Sequence, residues 1–266
     1  MSTTPETVRS ADGTTIAFDR QGEGAPVILI GGAFNDRTTV AGLASVLAPD
    51  FTTIAYDRRG RGDSGDTGKY AVEREIEDVA ALIEHVGGHA SLFGHSSGAI
   101  LALEAAASGL AVDRVAAYEP PYVVSDREPS KEDLVDRVRA CVDAGDLDGA
   151  VTLFLTEGAD TPAAVVEGMR TEPVWGWFTA LAHTLPYDLA LGGGLRPPVE
   201  RLAKIPVPAL LIDGGDSPAW FGAGAQAATD AVPGARRETL PGHDHGVLQS
   251  PEALRPLLTA FFGPAV

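Results

Sequence analysis

Five short runs of apolar and β-branched residues punctuate the chain, at 26–30, 51–56, 90–93, 112–118 and 209–212. Continuous runs of this kind suit strands buried on both faces of a sheet. Between them lie segments of helical spacing. The clearest is 70–86, where Val72, Ile76, Val79, Ile83 and Val86 recur at steps of three and four, with Glu73, Glu75, Glu77 and Asp78 among the other positions. Segment 38–48 repeats the pattern less strongly, and small residues fill 97–107. At the start, 7–10 and 14–20 flank Asp12-Gly13, a hairpin signal. Strand and helix thus alternate through residue 118. That order predicts an α/β fold, a mostly parallel central sheet flanked by helices on both faces.

The alternation stops at Glu119-Pro120-Pro121. Residues 122–204 are mostly helical in pattern, with Ser130 placed as the N-cap of a helix carrying Leu134, Val138 and Val142. So long a stretch predicts an element of its own rather than a loop. The sheet pattern resumes after Pro206-Val207-Pro208 with the strand at 209–212, a helix near 219–231, a strand near 236–240 and a terminal helix near 251–262. The expected division is a core of 1–121 and 205–266 with a helical insertion at 122–204.

Composition narrows the partners. The 266 residues are 44% hydrophobic and 21% charged, ordinary for a packed protein, but the formal net charge is −17. Anionic nucleic acid and anionic membrane surfaces are disfavoured on charge alone. Cys141 is the one cysteine and sits at an apolar helical position, a small core residue. No cysteine/histidine cluster has metal spacing, so no metal is expected. Without an arginine-rich presequence, a secretory apolar region or a long apolar span, the chain reads as cytoplasmic. A monomer or a homodimer is equally compatible with it.

Candidate chemistry centres on Gly94-His95-Ser96-Ser97-Gly98. An apolar strand precedes it and a helix follows, the context of a nucleophile elbow. A serine hydroxyl is a poor nucleophile unless held exposed beside a base. A tight strand-to-helix turn does the holding and requires small residues two before and two after the serine. Of six histidines, His245 lies in Leu240-Pro241-Gly242-His243-Asp244-His245-Gly246, just after the last strand, where a loop can carry it over the sheet end to Ser96. His243 is its rival. His95 is expected to point away from the Ser96 side chain, and His85 and His89 to be solvated.

These features together resemble the α/β-hydrolase superfamily along essentially the whole chain. The carriers are Gly31-Gly32 after the third strand, Tyr56-Asp57-Arg58-Arg59-Gly60-Arg61-Gly62-Asp63-Ser64 after the fourth, the elbow, and Gly242-x-x-His245. The resemblance implies a hydrolase fold with a helical cap, and turn or surface roles for Arg58, Arg59 and Arg61. It implies an oxyanion hole from the N–H of Ser97 and, where many members carry His-Gly-x, of Ala33 in Gly31-Gly32-Ala33-Phe34. The acid usually follows the penultimate strand in Gly-x-x-Asp. Here Gly214 is followed at that spacing by Ser217, with Asp216 one residue early. A second location known in the superfamily is the end of the preceding strand, here Glu119. That layout resembles the zearalenone lactonase branch. Glu119 is the preferred acid and Asp216 the alternative.

The implied cap places Met169, Trp175, Trp177, Phe178, His183 and Tyr187 as candidate substrate-binding residues, together with Phe34 of the Gly31-Gly32-Ala33-Phe34 loop beside the Ala33 donor. Each alone would be ordinary helix core. The expected activity is cofactor-free hydrolysis of a carboxylic ester or lactone of an apolar or aromatic small molecule. The same residues can serve a β-diketone (C–C) hydrolase, a thioesterase or acyltransferase, or a perhydrolase. A non-catalytic small-molecule binding protein on this fold is the alternative of another class. Haloalkane dehalogenases and epoxide hydrolases of the fold usually carry an aspartate where Ser96 stands.

Overall fold

The computed structural model describes residues 4–124, 133–192 and 196–264. Eight described strands form one sheet: β1 (Glu6–Arg9), β2 (Thr15–Gln21), β3 (Pro26–Ile30), β4 (Thr52–Tyr56), β5 (Ala90–His95), β6 (Val112–Tyr118), β7 (Ala209–Gly214) and β8 (Arg236–Leu240). Their order is β1-β2-β4-β3-β5-β6-β7-β8. The β1–β2 and β2–β4 pairs are antiparallel and the rest are parallel.

Strand alternation sorts the core into two layers. Ile28 and Ile30 of β3 join a cluster beneath helices α2 (Val72–His85) and α3 (Ser97–Ala107), while Val27 and Leu29 face α1 (Arg37–Leu47) and the C-terminal helix. Helix α2 is shorter than its apolar period predicts, because Ala71 is still extended at its N-cap and Val86 leaves helical geometry. The expected terminal helix is divided into a short 3₁₀ turn at Pro251–Ala253 and a helix at Arg255–Phe262.

Between β6 and β7 the described elements are all helical: α4 (Leu134–Asp143), α5 (Leu147–Leu153), a π-helical turn (Phe154–Gly158), α6 (Ala163–Met169), α7 (Pro173–Leu181), α8 (Leu185–Gly192) and α9 (Val199–Leu202). Ser130 lies outside the described residues. Helices α4 to α8 gather a third apolar cluster, joined from outside 122–204, among the described residues, by Phe34 and, against it, Ala33. The remaining helices are α10 (Ala219–Ala231) and α11 (Arg255–Phe262).

The sheet order reverses at β3. Its following crossover leads to β4 on one side, while β5 lies on the other. The loops after β3 and β5 therefore diverge and leave a crevice at the carboxyl edge, where ligands bind in open α/β sheets.

Candidate active site

The elbow occupies that crevice. Ser96 has φ 57° and ψ −124°, a conformation costly for a side-chain-bearing residue. Its neighbours explain the two glycines. A Cβ on Gly94 would lie 2.2 Å from the Gly98 carbonyl oxygen, and one on Gly98 would lie 2.3 Å from that of Ile30. Ser96 Oγ makes no hydrogen bond among the described residues and faces a cavity of about 590 Å³.

His245 lines the same cavity. Its Nδ1 stands 2.6 Å from Glu119 Oε2. An ionised carboxylate only accepts, so the bond calls for the proton on Nδ1, and in the neutral imidazole the lone pair then lies on Nε2. Glu119 is fully buried, and its other oxygen accepts the Gly214 N–H at 2.8 Å. Register brings the pieces together: the Ser96 N–H donates to Tyr118 O and the Glu119 N–H to Ile212 O. The imidazole is flanked by the Phe221 ring at 4.5 Å and the His95 ring at 4.7 Å. His95 Nε2 and the Tyr118 hydroxyl hold the carbonyls of His245 and Asp244, at 2.9 and 2.7 Å.

The competing residues sit elsewhere. Asp216 is exposed and, with His243, lines a separate surface cleft, where its N–H donates to the His243 carbonyl. Asp213 is occupied by Arg237 and Thr239. His95 lines the cavity beside His245. Burial and the neighbouring His245 push its pKa down to about 3, so it is neutral.

Ala33, Phe34 and Ser97 line the cavity. In the loop after β3, the Gly32 N–H is taken by Asn35 Oδ1 and the Asn35 N–H by Gly32 O. The N–H groups of Ala33 and Phe34 have no partner among the described residues. Ser97 opens α3, so its N–H is one of the orphan first-turn donors.

Of the candidate substrate-binding residues, Phe34, Trp177 and Phe178 line the cavity. Four others do not, which corrects the expectation. Trp175 is buried in the helical cluster, its Nε1 on Asp148 and its ring under Arg170. Met169 packs against that cluster from its edge. His183 is exposed, with Nε2 on Gly60 O. Tyr187 stacks on Tyr70 and donates to Asp66. The residues missed by pattern are Phe154, Leu155, Trp220 and Phe221, which complete the apolar wall. Trp220-Phe221, just past β7 at the sheet's carboxyl edge, was the one pair with a readable signal.

Arg58, Arg59 and Arg61 lie in the expected turn segment but depart from expectation in burial. All three are buried rather than on the surface. Arg58 pairs with Glu75 and Asp188, Arg59 with Asp78 and Asp12, and Arg61 with Asp188. Burial works against the Arg58 charge, but Glu75 and Asp188 more than offset it and raise its pKa. Among the described residues no cluster of His, Cys, Asp and Glu could hold a metal ion, and no helix is long and apolar enough to cross a membrane.

A search of curated proteins finds no match. Solved structures do match. An alpha/beta hydrolase from Sphaerobacter thermophilus DSM 20745 is 52% identical, with a TM-score of 0.91 over 97% of this chain and 100% of that one. An esterase from Thermogutta terrifontis (19% identical, TM-score 0.74, 97% and 98% covered) shares the fold. So does an enol-lactonase from Burkholderia xenovorans LB400 (22%, 0.73, 97% and 100%). The model of one family matches residues 27–257, nearly the whole span from β3 to α11. With that match and the elbow at the reversal of its sheet, the chain belongs to the alpha/beta hydrolase family.

Proposed function

We propose that this hydrolase-family chain cleaves a carboxylic ester or lactone of an apolar or aromatic small molecule through an acyl-enzyme. The observation that carries the reading is the Glu119–His245 hydrogen bond, which leaves a histidine lone pair in the cavity that Ser96 faces. Ser96 Oγ attacks the carbonyl carbon and passes its proton to His245 Nε2. The N–H groups of Ala33 and Ser97 receive the oxyanion. On collapse, the leaving alkoxide takes the proton from His245. Water then loses a proton to the same nitrogen and attacks the acyl carbon, and on collapse His245 returns that proton to Ser96 Oγ as the acid leaves. Buried Glu119 holds the imidazole in the needed tautomer and stabilises its cation.

The cavity walls support the substrate class. Phe34, Phe154, Trp177, Phe178, Trp220 and Phe221 line them, and none of the lining residues is Lys or Arg. A neutral, flat or branched acyl group suits such walls, and an anionic one would find no counter-charge. Helices α4 to α8 serve as the cap over Ser96, and the substrate and water are the partners the reaction needs.

The test is labelling and turnover together. A fluorophosphonate should label Ser96, p-nitrophenyl butyrate and benzoate should turn over, and Ser96→Ala should abolish both. A wild-type protein that shows neither, yet binds an apolar ligand in the cavity, overturns the enzyme reading in favour of a binding protein.

A further inference from the structure

We propose that Asp188, on α8 of the helical segment, is a positioning residue that sets the geometry of both oxyanion donors through Arg58, Arg61 and the Ser97 side chain. The inference rests on the serine-hydrolase reading above.

The Asp188 side chain is 1% exposed. Its Oδ1 accepts the Ser97 hydroxyl at 2.7 Å, Arg58 Nη1 at 2.8 Å and Arg61 Nη2 at 2.9 Å, and its Oδ2 accepts Arg61 Nη2 at 2.8 Å. The two guanidinium groups extend the hold onto the loop after β3. Arg61 Nη1 donates to Gly32 O at 2.5 Å and Asn35 O at 3.2 Å, and Arg58 Nη1 to Gly31 O at 3.4 Å and Ser97 Oγ at 3.2 Å.

A trans peptide points its C=O and N–H in opposite directions. Pinning the Gly32 carbonyl on Arg61 therefore turns the Ala33 N–H away from the ion cluster. The second donor belongs to Ser97, whose own hydroxyl ends on the same carboxylate. From above, Trp177 Nε1 donates to Phe34 O at 2.7 Å. Of the Gly31, Gly32 and Phe34 carbonyls so held, that of Gly32 is the one whose peptide carries a free N–H among the described residues, the Ala33 donor, while the N–H groups paired with the Gly31 and Phe34 carbonyls are bonded within the loop. Burial alone would raise the Asp188 carboxyl, but Arg61 and Arg58 hold it below the ordinary aspartate range, so it is charged throughout the working pH range.

A purely structural ion cluster would look similar in one respect: it would anchor α8 to the core. The Arg59–Asp78 pair supplies the comparison. Asp78 is as buried as Asp188, yet among the described residues Arg59 reaches only Asp78, Asp12 and Arg74 O, none of them in the loop after β3.

The experiment compares Asp188→Asn, Ser97→Ala and Asp78→Asn with wild type on a p-nitrophenyl ester, with melting curves for each. The amide introduced by Asp188→Asn keeps the shape but sets an N–H against a guanidinium. The expected result is a kcat roughly 10- to 100-fold lower with KM within about threefold, and phosphonate labelling slowed in parallel, since both reactions build charge at the donors. Ser97→Ala keeps every charge and every backbone donor, and its kcat should fall about threefold to tenfold. Asp78→Asn should lose melting temperature but keep its kcat. Equal kcat losses in Asp188→Asn and Asp78→Asn overturn the proposal. If Asp188→Asn does not fold, an unchanged kcat in Ser97→Ala overturns it, and a fall with KM retained supports it. A wild type that is inert overturns the hydrolase reading; an active wild type with unaffected variants overturns this inference alone.

Discussion

Replacing Glu119 by Gln probes the acid with little change of shape. The carboxylate has two occupied oxygens: Oε1 accepts the Gly214 N–H at 2.8 Å and Oε2 the His245 Nδ1–H at 2.6 Å. An amide has one oxygen. If that oxygen keeps Gly214, its NH₂ faces Nδ1. The imidazole must then accept at Nδ1 and carry its proton on Nε2, which disables it as a base toward Ser96. If the amide flips, an N–H is forced against the Gly214 N–H in a fully buried site. An equivalent change in a serine protease costs about 10⁴ in kcat, or about 5 kcal/mol of barrier. A similar loss is expected here, with KM changing far less. Asp216→Asn should stay within about twofold of wild type, because that carboxylate is exposed in a separate cleft and makes no hydrogen bond to His245. Steady-state turnover of a p-nitrophenyl ester at saturating substrate reads both variants, with melting curves to confirm folding. A Glu119→Gln kcat within about tenfold of wild type, or a larger loss in Asp216→Asn, would refute the assignment.

Three other perturbations follow. His95 has a folded-state pKa of about 3 against 6.5 unfolded, so the unfolded chain binds the extra proton first as pH falls. Its contribution to stability is complete above pH 6.5 and is lost progressively toward pH 3, at about 1.4 kcal/mol per pH unit. His95→Gln should flatten urea-derived stability between pH 6 and pH 4 by up to that slope of about 1.4 kcal/mol per unit, and an unchanged slope would contradict the burial argument. Trp177→Phe removes the donor to Phe34 O and part of the cavity wall. It should weaken kcat/KM by roughly threefold to tenfold, the worth of a half-exposed hydrogen bond of about 1 kcal/mol, and unaltered ester kinetics would sink the idea. Gly98→Ala places a Cβ 2.3 Å from Ile30 O and 2.6 Å from Gly31 O, so it should lower the melting temperature and end phosphonate labelling of Ser96.

Local chemistry was legible wherever one segment carries its own reason. Segment 27–30 reads as a buried strand because every position is apolar, and Ser96 reads as an elbow because its glycines lie two residues to either side. Glu119 was visible as a charge directly after an apolar strand, locked by Pro120. Orientation was not legible. Trp175 and Trp177 stand two residues apart on α7, hence about 200° apart around it, and only one of them can face the cavity. Composition cannot say which. Convergence over long separations was invisible too. Asp188 meets Arg58 across 130 residues and Ser97 across 91, so Arg58 and Arg61, which look like loop surface, are in fact neutralised in the interior.

What unites the site is backbone that a sequence cannot display. Among the described residues, non-glycine positions with positive φ are Phe34 (58°), Ser96 (57°), Glu119 (47°) and Asp160 (58°). The first three follow β3, β5 and β6, neighbouring strands of the parallel sheet. Ser96 and Glu119 sit directly at their strand ends and Phe34 four residues past β3, and each belongs to a proposed part of the machinery: nucleophile, acid and oxyanion loop. A relaxed strand end would carry the chain smoothly away from the crevice and leave the side chain or N–H averted. The left-handed turn brings it back over the sheet edge, at a cost of about 1–3 kcal/mol per residue. That cost is met by interactions at each point. Trp177 holds Phe34 O, the Tyr118 carbonyl holds the Ser96 N–H, and the Ile212 carbonyl holds the Glu119 N–H. Glycine at these positions would relieve the strain, but it would remove the hydroxyl, the carboxylate and the Phe34 ring that ties the loop to the helical cluster. The strain is therefore placed where the proposed chemistry needs it, and the packing of the helical segment is part of what maintains it.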